Sequence, residues 1–134
     1  MQQPALLDSQ WRPDDTGVTD GGDVGGDIQA GDSWSVRYIR PDMPGSLITE
    51  TYYPVTWPEC PGEYTVERQV EFMVCEDPAD PGGTEIWSEA TYDTVSYLVM
   101  DTAEEAGQEA REFAENALDR GWTHRWDGLP DYTT

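Results

Sequence analysis

Lysine is missing from this 134-residue chain, and its basic residues are seven arginines and a single histidine. Asparagine occurs only at Asn116, and phenylalanine only twice. The scarce residues are those with AT-rich codons, whereas glycine, proline and arginine are well used. This pattern indicates a high-GC genome, such as that of a high-GC bacterium, its phage or a salt-adapted archaeon. The use of arginine in place of lysine therefore has a genomic explanation before a functional one.

Positive charge is scarce overall, because 28 acids face seven arginines and the formal net charge is −21. Such a surface repels nucleic-acid phosphates and anionic membranes, so we expect neither to bind directly. The acidity leaves basic partners, cations or plain solubility as its uses. We expect protein partners, either copies of the chain or a larger assembly. A salt-adapted soluble domain is an alternative, although six tryptophans and seven tyrosines are many for that class.

Long apolar runs are also absent from the sequence, and none approaches the length that crosses a membrane. The first fifteen residues have neither the basic region nor the apolar core of a signal peptide. We therefore expect the protein in the cytoplasm or in a virion.

Histidine and cysteine are few, and no nucleophile, phosphate-loop or metalloprotease motif occurs. His124 is the only histidine, and together with Cys60 and Cys75 it is too little for a closed zinc site. The two cysteines flank a predicted strand, whose ends would lie ~40 Å apart, so we expect free thiols. We predict no enzyme activity and no cofactor. A carboxylate row on the outer sheet face is the one alternative considered: Glu67, Glu71 and Glu89.

The clearest element is a helix predicted over residues 101–121. Thr102 and Glu105 have the spacing of a capping box, with Asp101 as an alternative cap, and Gly121 is a plausible stop. At about 100° per residue, one side of the helix is mostly alanine, so its partner must supply bulk. Gly107 on that side predicts a close backbone approach. The opposite side is acidic: Asp101, Glu104, Glu105, Glu109, Glu112, Glu115 and Asp119.

Alternating apolar residues predict strands over 34–40, 46–57, 63–76 and 84–100. Pro54 places the far half of the second strand at an edge or a bulge. Turns rich in proline and glycine separate consecutive strands, which favours a meander. The predicted fold is α+β, with a four-stranded antiparallel sheet covered on one face by the C-terminal helix.

The remaining residues divide into an extended Gly/Asp-rich arm over 1–33 and an aromatic tail over 122–134, on either side of the 34–121 domain. The arm has little to bury and should be disordered on its own. Its aspartates could hold Ca²⁺, but their spacing matches no calcium loop, and a solvated linker is favoured. Leu6, Leu7 and Trp11 could anchor the arm to a partner.

These observations favour a non-enzymatic acidic structural or interaction protein, such as a phage particle component or accessory anchored through its arm. The alternative hypothesis is a nucleic-acid mimic, which would inhibit a basic DNA-binding protein by imitating phosphates. The residues predicted to bind the partner come from the arm and the helix: Leu6, Leu7, Trp11, Glu105, Glu109, Glu112 and Asp119.

Overall fold

A six-stranded antiparallel sheet packed against one C-terminal helix makes up the fold in the computed structural model, which describes residues 11–40, 45–77, 83–96 and 98–121. The predicted α+β class is confirmed. The predicted number of four strands is wrong, because the N-terminal segment contributes two more.

Four long strands form the meander that the alternating pattern predicts. They are β3 (Trp34–Ile39), β4 (Ser46–Val55), β5 (Thr65–Cys75) and β6 (Glu85–Thr94), and each pairs with the next. The last of them stops well short of the predicted end at residue 100.

Two short strands, β1 (Arg12–Pro13) and β2 (Thr19–Asp20), pair along the free edge of β3. Their register places Pro13 opposite Tyr38 and Thr19 opposite Ser35. Two-residue strands have no alternating pattern, so the sequence gives no signal for them. They cover backbone groups of β3 that a four-stranded sheet would leave open.

The Gly/Asp-rich segment that follows is organised by one side chain, that of Gln29. Its Oε1 accepts from the backbone N–H groups of Val24 and Gly25, at 2.8 and 2.9 Å. Its Nε2 donates to the carbonyls of Gly22 and Gly31, at 2.9 and 2.8 Å. The prediction of disorder is therefore wrong for residues 11–33, because composition alone does not reveal the hydrogen bonds that the Gln29 side chain makes.

Glycine lets this segment lie directly on the sheet face that points away from the helix. A Cβ on Gly25 would come within 2.6 Å of Cε2 of Tyr53, and one on Gly21 would collide with Ser35. Further along, Ala30 donates its N–H to the carbonyl of Pro54 at 2.7 Å. Pro54 lies past Tyr52, the last residue of β4 that pairs with β3. The prediction that Pro54 lies near an edge is thus met, since the ring faces this irregular segment and not a full strand.

The helix α1 (Ala103–Arg120) begins and ends where its capping signals predict. Glu105 donates its backbone N–H to the Thr102 hydroxyl at 3.1 Å, and that hydroxyl lies 3.1 Å from the Glu105 carboxylate. Gly121 has a φ of 82°, and its N–H donates to the carbonyl of Ala117 at 2.9 Å. A residue with a side chain would be strained there.

The alanine side of α1 packs on the bulky face of the sheet, as predicted. Ala106, Ala110, Ala114 and Ala117 are fully buried. The aromatic ring of Phe113 stacks on that of Tyr52, with 5.8 Å between centroids and 6° between planes. The rest of this core comes mainly from the sheet: Val36, Tyr38, Ile48, Val66, Val70 and Phe72.

Gly107 does not have the predicted role of a close-packing glycine. A Cβ at this position would meet nothing within 4 Å. The residue faces open space beside the helix, so its lack of a side chain is not required by the core.

We predict that Gly107→Ala stabilises the protein by up to about 1 kcal/mol, because alanine is the better helix former and no atom opposes its Cβ. Thermal unfolding followed by circular dichroism measures the change. Gly25→Ala is the matched control, since the same added methyl group collides with Tyr53 and should lower the melting temperature. A loss of stability in Gly107→Ala would contradict the open geometry.

Candidate functional site

The acids of α1 predicted to bind a partner lie on its outer side. Glu105, Glu112 and Asp119 are exposed, and Glu109 is half-buried. Glu104 and Glu115 are exposed on the same helix. These six carboxylates are called the acidic face below: Glu104, Glu105, Glu109, Glu112, Glu115 and Asp119.

Helix geometry fixes the spacing of the acidic face. From Glu104 to Asp119 the axis rises by ~22 Å, at ~1.5 Å per residue, which gives about one acid every 4.5 Å. The one described ion pair within this set joins Arg111 Nε to Glu115 Oε2 at 3.7 Å, and both side chains are 53% exposed. Exposed pairs of this kind stabilise a helix by only ~0.3–0.5 kcal/mol, so this pair adds little to the stability of α1.

The predicted anchor residues of the arm have a different outcome. Trp11 is 2% exposed and packs edge-on against Phe72, with ring centroids 6.0 Å apart at 75°. The guanidinium of Arg40 lies 5.7 Å from the centre of the Trp11 ring. Trp11 therefore belongs to the core of its own chain in this structure. Leu6 and Leu7 lie outside the described residues.

A buried carboxylate, which the sequence interpretation missed, lies between the sheet and α1. Glu50 of β4 is 1% exposed, and its Oε1 accepts from the hydroxyl of Tyr38 at 2.8 Å. The Tyr52 hydroxyl lies 3.4 Å from the same oxygen. The one signal in the sequence was its position between Ile48 and Tyr52, in the row of the strand that faces the helix.

Arg68 connects this buried acid to the surface. Its Nη1 is 3.8 Å from Glu50 Oε2, while Nε and Nη2 bind both carboxylate oxygens of Asp93 at 3.0 and 2.6 Å. Arg68 lies opposite Tyr52 in the register of β4 and β5, so it belongs to the row of β5 that faces the helix. Asp93 is about half-exposed, so the chain of charges runs from the core to the edge of the sheet.

The chemistry of this buried cluster is that of a hydrogen-bonded core. Burial, and then the negative charge of Glu50, raise the pKa values of Tyr38 and Tyr52 well above the ordinary value. Both hydroxyls therefore keep their protons and remain donors to the carboxylate. The Tyr38 hydroxyl is also 3.3 Å from the carbonyl of Ala117, so it ties the sheet to the end of α1. Since Glu50 and Tyr38 are almost completely buried, a substrate in solution does not reach them.

The proposed row of outer-face carboxylates is not formed. Glu71 lies opposite Ala90 and Glu89 lies opposite Phe72, so Glu71 and Glu89 point to opposite faces of the sheet. Glu67 is engaged in a hydrogen bond, since its Oε1 accepts from the Tyr53 hydroxyl at 2.7 Å. The sequence interpretation placed Glu89 on the wrong face because the register between β5 and β6 was unknown.

Metal and thiol chemistry add little to the site. Among the described residues, no three side chains of the ligand types His, Cys, Asp and Glu come together as a metal site. Asp14 accepts from both the N–H and the hydroxyl of Thr16, and Asp20 accepts from the N–H of Gly22, so these two acids serve turns. Cys60 and Cys75 form no disulfide, as predicted. His124, Trp122 and Trp126 lie outside the described residues.

Comparisons of the chain with protein-family models, with curated proteins and with solved structures gave no match. In the part of the chain that the structure describes, no helix has the length and apolar character needed to cross a bilayer.

We predict that Tyr38→Phe lowers the free energy of unfolding by about 1.5–3 kcal/mol, because it removes a donor from a buried carboxylate. Chemical denaturation measures the loss. Tyr92→Phe is the matched control: its hydroxyl accepts from Gln69 Nε2 at 2.9 Å, but the side chain is 54% exposed. The control should change stability by no more than ~0.5 kcal/mol. Equal effects of the two changes would contradict the core role of Glu50.

A second prediction concerns pH. Burial, and then the charge of Glu85, raise the pKa of Glu71. An acid with a raised pKa in the folded state weakens folding as the pH rises from its unfolded pKa, about 4.3, through the folded value. Glu71→Gln should therefore match the parent below about pH 4 and be more stable at neutral pH. Unfolding curves over this range test it. A difference in stability between the variant and the parent that is equally large at low pH would show that the charge of Glu71 is not its cause.

Proposed function

We propose that this chain is a non-enzymatic interaction protein that binds a basic protein partner through the acidic face of α1. The observation that carries the proposal is the division of one helix into two sides. Buried alanines hold α1 to the sheet, and six carboxylates project from the same helix, most of them into solvent. The fold needs the first side and makes little use of the second.

The rigidity of α1 supports this proposal. Its start is held by the hydrogen bonds of Thr102, its end by Gly121, and its middle by the stacking of Phe113 on Tyr52. A fixed helix presents its carboxylates in a preorganised array, which lowers the entropy lost when a partner binds. The net charge of −21 would also accelerate the approach of a basic protein at low salt.

The setting we propose is a larger assembly, such as a phage particle or an accessory to one. The high-GC composition and the surplus of aromatic residues support this setting. Within it, residues 1–10 would contribute the predicted contacts of Leu6 and Leu7.

The test compares two variants that each lose four negative charges. In the helix variant, glutamine or asparagine replaces Glu105, Glu109, Glu112 and Asp119, and the capping box is kept because glutamine is accepted at its third position. In the control variant, the same chemistry removes exposed acids elsewhere: Asp15, Asp23, Asp27 and Glu59. The probe is a short peptide of alternating arginine and glycine, titrated by calorimetry.

We predict that the helix variant binds this peptide at least ~4-fold more weakly than the parent, because four charge contacts of ~0.2–1 kcal/mol each sum to ~0.8–4 kcal/mol. The control variant should stay within a factor of about three of the parent. Binding should weaken steeply between about 50 and about 200 mM salt, because the contacts are screened. Equal losses in the two variants would mean that the peptide responds to total charge and not to the acidic face.

A nucleic-acid mimic is the second candidate, and the spacing of the acidic face favours it. About one acid every 4.5 Å along α1 approaches the ~3.4 Å between charges on one strand of B-DNA. A mimic would compete with duplex DNA for the groove of a DNA-binding protein. Displacement of labelled duplex from a basic DNA-binding protein of the host, by the parent and not by the helix variant, would distinguish it from a general interaction protein.

A further inference from the structure

A cleft of about 320 Å³ opens beside the first half of α1, outside the hydrophobic core. Its walls come from the helix on one side and from residues 30–32, β3 and β4 on the other. The lining residues that matter for its chemistry are Asp32, Trp34, Ala103, Glu104, Gly107 and Arg111.

The cleft depends on Gly107. This residue lies in the interior of α1, where glycine is unfavourable, and nothing within 4 Å opposes a Cβ there. Any larger side chain at this position would project into the cleft. Gly107 therefore keeps the cleft open, although alanine at this position would favour the helix.

The lining already holds one cation in a defined way. The guanidinium of Arg111 lies 5.1 Å from the centre of the Trp34 ring, within the range of a cation–π contact. The side chain of Arg111 is 53% exposed, and its other described contact is the ion pair with Glu115. Arg111 can therefore leave the ring for Glu115 without exposing a buried charge.

Two carboxylates, those of Asp32 and Glu104, line the same cleft and are exposed. With Arg111 they give the lining a net negative charge, and the half-buried Ala103 adds an apolar surface. The positive end of the α1 dipole is nearby, but Glu104 and Glu105 in the first turn offset it. An aromatic ring, an apolar wall and two acids form an environment that accepts a cationic side chain with an apolar stem.

We propose that this cleft receives one arginine or lysine side chain of the basic partner, with its stem against Ala103 and its charge between Trp34, Asp32 and Glu104. The proposal rests on the proposed function, because it names the site at which the partner of the acidic face is anchored. The incoming cation then replaces the Arg111 guanidinium over the Trp34 ring.

The test uses the blocked tripeptide Gly-Arg-Gly as the probe and follows the indole N–H signal of Trp34 by NMR, assigned with Trp34→Phe. Gly107→Leu fills the cleft and should abolish the shift of this signal while the helix stays folded by circular dichroism. Asn116→Leu adds the same side chain at an exposed position of α1 and should leave the shift unchanged.

Charge variants test whether the cleft binds a cation or an anion. Glu104→Gln should weaken tripeptide binding about two- to five-fold, as expected for loss of one ionic contact, whereas Glu59→Gln, at an exposed position outside α1, should have a smaller effect. Arg111→Gln should strengthen binding, since it removes both a like charge and the residue that occupies the ring. Weaker binding in Arg111→Gln would show an anion site and overturn the proposal.

Failure of this inference is distinguishable from failure of the proposed function. If the alternating arginine–glycine peptide binds the acidic face but the tripeptide shift is absent or survives Gly107→Leu, the cleft is not the anchor. If neither peptide binds at low salt, the proposed function itself fails. Loss of the shift in Gly107→Leu together with tighter binding in Arg111→Gln supports the cleft.

Discussion

The small side chains on the inner side of α1 are the constraint on which the rest of the structure depends. A helix that offers mainly alanine comes close to the sheet, so the sheet must fill the space, and it does so with Tyr38, Tyr52 and Phe72. Two of these rings carry hydroxyl groups, which must find acceptors once they are buried. Glu50 supplies the acceptor, and Arg68 brings a compensating charge within 3.8 Å of it. One choice of residue size thus leads, step by step, to an ionic group in the core.

The packing of α1 also explains why acidic residues are concentrated on its outer side. The core uses one fully buried carboxylate, and the sheet edge uses Asp93 to hold Arg68. The outer side of α1 has fewer such demands: apart from the contact of Glu105 with Thr102 and that of Glu115 with Arg111, its acids are not used by the core. A surface that the fold does not constrain can be shaped by selection for solubility or for a partner. The regular spacing of these acids on a rigid element is what favours a partner.

Sequence periodicity predicted the elements whose signals are local. The cap at Thr102, the end at Gly121 and the four long strands follow from patterns that span a few residues, and the structure confirms them. Glu50 was missed because its partners lie on other strands, and only the register brings them together. The N-terminal segment was misjudged for a related reason. Its order depends on hydrogen bonds from Gln29 and on glycines that approach Tyr53, and neither is visible in composition.

The packing predicted for Gly107 differs from the packing in the structure, and the difference bears on function. Glycine in a helix interior costs up to about 1 kcal/mol of stability relative to alanine. A close contact with the sheet would have required glycine at this position. The space beside it is open, so the fold gives no reason to keep it. Natural proteins tend to break local rules at functional sites, where the lost stability is compensated by binding. The cleft beside Gly107 also contains an aromatic ring already engaged by a guanidinium. That coincidence is why the cleft, and not the larger acidic face alone, is the place to look for a specific contact.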